Sequence, residues 1–349
     1  MLKKIVLIGL NELNFDLLLK YTKKYPGKFK NIESLLKLRQ FNLSTESKYE
    51  NLEPWIQWYS IHTGKTFEEH NVFRLGDALE ANDQQIYEYL ENEGKTIGAV
   101  SPMNAMNRLK KPAYFIPDPW TETESDGSFF SKSYHEAISQ TVNDNAKGKI
   151  SIRSLATVLY AFIFFSNKKR FIHYLSLAIG SLSAKWKKAL FLDLLTNDIH
   201  IKLLKKHNPD FSEVFLNSGA HIQHHYFRNS EFYDYEVKNN PDWYIKSQYD
   251  PFKDLLASFD LIVKDYLNLN KYELIFSTGL SQTPIEPTFY YRLKNHEKFM
   301  NKLNVPFLKI VPRMTRDFTM YFESKIQRDS ATEKLSNIED IKGVKLFDE

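Results

Sequence analysis

The chain contains no cysteine, no apolar run long enough to cross a bilayer, no block of like charge and no internal repeat, and each absence removes a class of function. Without thiols there is no disulfide, no thiolate metal site and no cysteine nucleophile, which fits a reducing compartment. The strongly apolar stretch at 154–165 is about a dozen residues against the ~18–20 that span a bilayer, so no transmembrane segment is expected. A formal net charge of +4 over 349 residues, with Lys, Asp and Glu interspersed, argues against nucleic acid as a partner. The opening residues place Lys3 and Lys4 before an apolar run, as a secretory leader does. That run, 5–10, is too short and meets Asn11, Glu12 and Asn14 with no small-residue cleavage site, so it reads as a buried first strand. The expected location is the cytoplasm, including the inner face of the membrane.

What is present is material for a large core. Apolar residues make up 42% of the chain, with 26 Phe and 20 Tyr, and the 26% of charged residues matches ordinary globular usage. Strand-length apolar runs at 5–10, 96–100, 213–216 and 273–276 alternate with helical spacing, as at 15–21, which predicts an α/β fold with a central, mostly parallel sheet flanked by helices. Polar stretches follow three of these strands, at 101–107, 217–225 and 277–282, where an open α/β sheet gathers its ligands. Residues 148–206 differ in character, with an apolar run, the basic Lys168–Arg170 and an amphipathic stretch from Trp186. They read as a helical insertion, either a cap on the core or a basic face toward a membrane surface or a glycosyltransferase partner. The expected organisation is a core of 1–147 and 207–328, the insertion at 148–206, and a charged helix with a loosely held tail at 329–349.

Four segments in order carry a resemblance. Val6-Leu-Ile-Gly-Leu-Asn-Glu12, Leu52-Glu-Pro-Trp-Ile-Gln-Trp-Tyr-Ser-Ile-His-Thr-Gly-Lys65 with His70-Asn-Val-Phe73, Val214-Phe-Leu-Asn-Ser-Gly-Ala-His-Ile-Gln-His-His225, and Leu274-Ile-Phe-Ser-Thr-Gly-Leu280 are similar to the alkaline-phosphatase and type I phosphodiesterase superfamily. They resemble a divergent branch associated with bacterial surface-polysaccharide pathways. The family's first strand ends Gly-Leu-Asp-Gly, its nucleophile segment closes with Thr-Gly-Lys and a His-Gly-Ile turn, its third segment carries an Asp-x-x-x-His metal pair, and its fourth reads Ser-Asp-His-Gly. The resemblance implies an alkaline-phosphatase-like core. The chemistry departs from it: the first aspartate is Asn11, the nucleophilic hydroxyl falls on Pro54, the metal pair becomes Ala220 and His224, and the Asp-His becomes Thr278 and Gly279. Only His224, with His296 in the place of a late histidine, keeps a family ligand type.

The remaining polar residues suggest replacement chemistry. His221, His224 and His225, with Gln223, form the densest ionisable cluster, and open nitrogen ligation would suit one divalent metal, zinc or manganese, with His221, His224 and His296 as the ligand set. Glu12 and Glu53, which the resemblance brings beside that cluster, are candidates for general base with His224 or His225 as acid. Equally open are a helix-start acid for Glu12 and a solvent-facing residue for Glu53. Trp55 and Gln57 are candidates for contact with a sugar-type ligand, with Trp58 in the core. Asn11, Gln223, Thr278 and Gln282 offer neutral hydrogen bonds, and Arg292, Arg313 and Arg316 offer forks for phosphate or carboxylate. Two functions follow as expectations: a hydrolase or transferase, lacking the usual Thr or Ser nucleophile, for a phosphorylated or otherwise anionic sugar-type substrate; or a non-catalytic descendant that binds such a ligand or a partner protein.

Overall fold

A computed structural model describes residues 3–143, 151–234, 240–284, 293–312, 318–340 and 343–347. The chain divides into two compact units, 1–285 and 286–349.

The first unit is built on five parallel strands: β1 (Lys4–Leu10), β2 (Ile97–Val100), β3 (Tyr114–Ile116), β4 (Phe211–Leu216) and β5 (Tyr272–Ser277), in the order β3-β2-β4-β1-β5. The central strands read as continuous apolar runs because both faces are covered. On β1, Val6, Ile8 and Leu10 enter the main core, whereas Leu7 faces a second cluster with Tyr87, Ile97 and Phe115. Helices α1 (Phe15–Lys24), α2 (Lys30–Leu35), α3 (Pro54–Thr63), α4 (Phe67–His70), α5 (Ile86–Asn92) and α6 (Phe129–Asn143) come before the expected insertion.

The stretch expected as a helical insertion is helical from residue 152 on, as α7 (Ile152–Phe165), α8 (Phe171–Gly180) and α9 (Lys187–His207). It belongs to the same compact unit as the sheet. α9 gives Leu190, Leu194, Leu195 and Ile199, all fully buried, to the main core and hands the chain directly to β4, so it is one of the helices flanking the sheet. After β4 come α10 (Ser218–Tyr226) and α11 (Pro251–Leu267), the latter started by Asp250 accepting from Lys253 N and by Pro251 in its first turn.

The second unit holds α12 (His296–Lys302), the antiparallel hairpin β6 (Lys309–Pro312) and β7 (Phe318–Tyr321), and α13 (Lys325–Ser336). Its own small core is Met300, Val305, Ile310 and Ala331. This differs from an expected core running to 328 with a tail beyond it. The hairpin and α13 bury their apolar residues with each other, so they form one body starting near residue 286. Among the described residues no helix is long and apolar enough to cross a membrane.

Candidate functional site

Parallel register places Leu10 beside Leu216 and Gly9 beside Ser277, so the residues following β1, β4 and β5 emerge together at the carboxyl edge of the sheet. Trp58, on α3, forms the floor. Its ring lies so close to Gly9 and Gly279 that a Cβ at either would sit 2.8 Å from it, and its Nε1 donates to Asn11 Oδ1 at 2.8 Å. Asn11 Nδ2 in turn donates to Asn217 Oδ1 at 2.8 Å. Asn11 is 1% exposed, and these bonds spend its amide on the floor rather than on a ligand.

Glu12 follows with φ at +57°, the left-handed region that a non-glycine residue occupies at a cost of about 1–2 kcal/mol. Four hydrogen bonds hold this stretch. Glu12 N donates to Thr278 O at 2.8 Å, Gln223 Nε2 donates to Glu12 O at 2.7 Å, Asn14 N donates to Gln223 Oε1 at 2.9 Å, and Asn14 Nδ2 donates to Gln282 O at 2.7 Å. The result is a buried carboxylate pointed at His224, whose Nε2 lies 3.1 Å from Glu12 Oε2. The Gln282 amide donates to the same carboxylate oxygen.

Charge separates the three imidazoles. Residues 217–225, expected as a strand-end loop, are largely helix α10, so positions four apart share a face: the His221 and His225 rings are 4.8 Å apart. His224 is turned from them toward Glu12. Partial burial opposes its charged form, but the hydrogen bond and charge of Glu12 and the charge of Glu53 outweigh it and raise the pKa. Burial, with repulsion from His225 and His224, pushes His221 down to about 4, and burial with the His224 charge lowers His225. His224 is therefore the most readily protonated of the three imidazoles. His225 Nδ1 pairs with Tyr244 OH at 2.8 Å.

Glu53 stands at the start of α3, half-buried, making no capping hydrogen bond. Burial and the negative charge of Glu12 raise its pKa, against a smaller opposing pull from His224. Glu12, Glu53 and His224, far apart in sequence, are thus within electrostatic reach of one another.

Other expected site residues are placed differently. Gln57 donates to Asn51 O at 3.0 Å and accepts from Thr45 at 2.7 Å, so its amide holds the preceding loop. Trp55 Nε1 donates to Phe73 O at 2.9 Å, and Thr278 contributes its main-chain carbonyl. His62 is 1% exposed beside Trp58, with Nε2 3.0 Å from Glu213 Oε1. His296 belongs to the second unit, where its ring packs 5.0 Å from Phe318. Arg292, Arg313 and Arg316 lie outside the described residues. Among the described residues no group of three His, Asp or Glu is gathered so as to hold a metal ion. The two-zinc centre that the resemblance would imply does not fit: Asn11 is spent on Trp58 and Asn217, and Ala220 and Gly279 have no donor side chain.

Two contributors escaped the sequence reading. Asn217 completes the floor, and Asp193 on α9 accepts from Ser218 N at 2.7 Å, fixing the start of α10, with burial pushing its carboxyl up to about 6. The signal for Asp193 was an acid set among leucines in a core-facing helix. Comparison with family models, with characterised proteins and with solved structures finds no match to the chain.

Proposed function

We propose that the strand-end cluster is an acid–base site of a divergent alkaline-phosphatase-like hydrolase or transferase, acting on a phosphorylated or otherwise anionic sugar-type substrate. The observation that carries this reading is Glu53, a half-buried carboxylate accepting no hydrogen bond among the described residues and raised in pKa beside the Glu12–His224 pair. A partly buried carboxylate beside another of like charge is costly to keep ionised, and such groups gather at functional sites. Ionised Glu53 would take the proton of an attacking water or hydroxyl. The His224 imidazolium, kept charged by Glu12, would pair with the anionic group or give its proton to the leaving oxygen.

Backbone conformation supports the kinship. At Glu12 and at Asn71 the family motif has glycine, this chain does not, and both residues keep positive φ, 57° and 53°. Pro54, at the family's nucleophile position, opens α3, and Glu53 is the residue immediately before it. A second reading, binding without turnover, is favoured by the floor itself, where Asn11, Asn217 and Trp58 satisfy one another.

The test is a panel of phosphoesters and sugar phosphates assayed for turnover and for thermal shift. Turnover lost in Glu53→Gln and His224→Ala, with circular dichroism unchanged, is the outcome expected. A ligand that raises the melting temperature of the native chain, unturned over, and does so less in His224→Ala would transfer the proposal to binding.

A further inference from the structure

Helices α7 and α8 turn some apolar residues, Val158, Phe162, Tyr174 and Leu177 among them, toward the main core, and others outward. On α7, Ile152, Leu155, Leu159 and Ile163 follow one another at helical spacing and are exposed, Ile152 by 88%, whereas the buried positions are Ser154 and Ala161. On α8, Ile172, Leu175 and Ile179 repeat the pattern, continued by Leu182, with Ile172 83% and Leu182 88% exposed. Each of these two consecutive helices, both packed on α9, thus carries a row of exposed aliphatic residues, the kind of surface that marks an interaction site.

Charge says what covers it. Residues 151–192 contain no Asp or Glu and seven Lys or Arg, in a chain whose net charge is only +4. Lys168 and Lys169 stand exposed at the turn between the helices, and Lys185 and Lys188 are exposed beyond α8. Lys169, Lys202 and Lys205 also rim a depression beside the turn, whose two carboxylates, Asp198 and Asp265, are both taken by Arg170. Neither helix can span a bilayer: α7 has 14 residues and α8 has 10.

From the outward apolar rows and the exposed Lys168, Lys169, Lys185 and Lys188, for which no carboxylate partner is found among the described residues, we propose that the α7–α8 face docks flat on an anionic lipid bilayer, with the aliphatic residues among the acyl chains and the lysines at the headgroups. Glu136 and Asp254 pair with Arg153 and Lys187, and an apolar protein partner would explain the aliphatic rows but not the exposed lysines left over. The inference is independent of the chemistry assigned to the Glu12–His224 cluster.

The experiment is co-sedimentation of the full chain with vesicles of phosphatidylcholine containing about 30% phosphatidylglycerol, and with phosphatidylcholine alone, at low and high salt. Expected are binding to the anionic vesicles, weakening with salt, and a fall of about tenfold or more in Ile172→Asp/Leu175→Asp and in Lys168→Glu/Lys169→Glu. These positions are exposed, so the fold should tolerate them; hydrogen-exchange protection of 152–180 on adding anionic vesicles to the native chain tests the same surface without substitution. The proposal is overturned by absence of binding, or by binding indifferent to lipid charge, salt and both double variants. A dimer that Ile172→Asp/Leu175→Asp dissociates, with no vesicle binding, would overturn it in favour of a second copy of this chain.

Discussion

At the scale of single residues, the site sets one imidazole, His224, against two carboxyl groups, Glu12 and Glu53. His224 is raised because Glu12 and Glu53 together outweigh its partial burial, so its imidazole should titrate above about 6.5 by NMR and fall toward that value in Glu12→Gln. The sign for stability follows: the pair's contribution is complete below the unfolded pKa and is lost as pH rises through the folded one. Glu12 itself is held in a conformation natural to glycine. Glu12→Gly should therefore be more stable than Glu12→Ala by about 1 kcal/mol in urea denaturation, since both lose the carboxylate and only alanine keeps the strain.

At the scale of elements, helices and strands are coupled by buried polar groups that the chemistry does not use. His200 on α9 is fully buried, 2.8 Å from Ser212 Oγ on β4 and 2.9 Å from Tyr266 OH on α11, and Tyr114 OH on β3 reaches the same serine at 2.6 Å. Burial pushes His200 down to about 3. The unfolded chain thus binds a proton that the native chain refuses, and stability should fall as pH drops from about 6.5 toward 3, by about 1.4 kcal/mol per pH unit from this group. His200→Gln should flatten the pH dependence of the urea midpoint across that window.

At the scale of the whole molecule, two units with separate cores follow one another along the chain. Cooperative unfolding as one block is not expected of such a chain, and the calorimetric enthalpy of unfolding should exceed the van't Hoff enthalpy. A ratio of one would show that the units unfold together. Charge is divided too: with seven cations and no anion in residues 151–192, the remainder is net acidic, so the modest total conceals a one-signed region.

Four strands were legible from short apolar runs, which burial on both faces explains for β1, β2 and β4 but not for the edge strand β5, whose residues alternate in exposure; β3, three residues long, and β7, only partly buried, were not. Residues 217–225 looked like a loop because three histidines and a glutamine hide the helical period of α10. The candidate acids and bases, Glu12, Glu53 and His224, could be named from residue type and order. Which imidazole is most readily protonated, that Asn11 and Gln57 are spent on structure, and that Gln282 meets a carboxylate 270 residues away depend on folding. Proton affinity and hydrogen bonding depend on through-space distance and burial, which chain order does not contain. The same limit governs α7 and α8: helical period determined from sequence which residues share a face, and only tertiary packing decided that this face would be left uncovered.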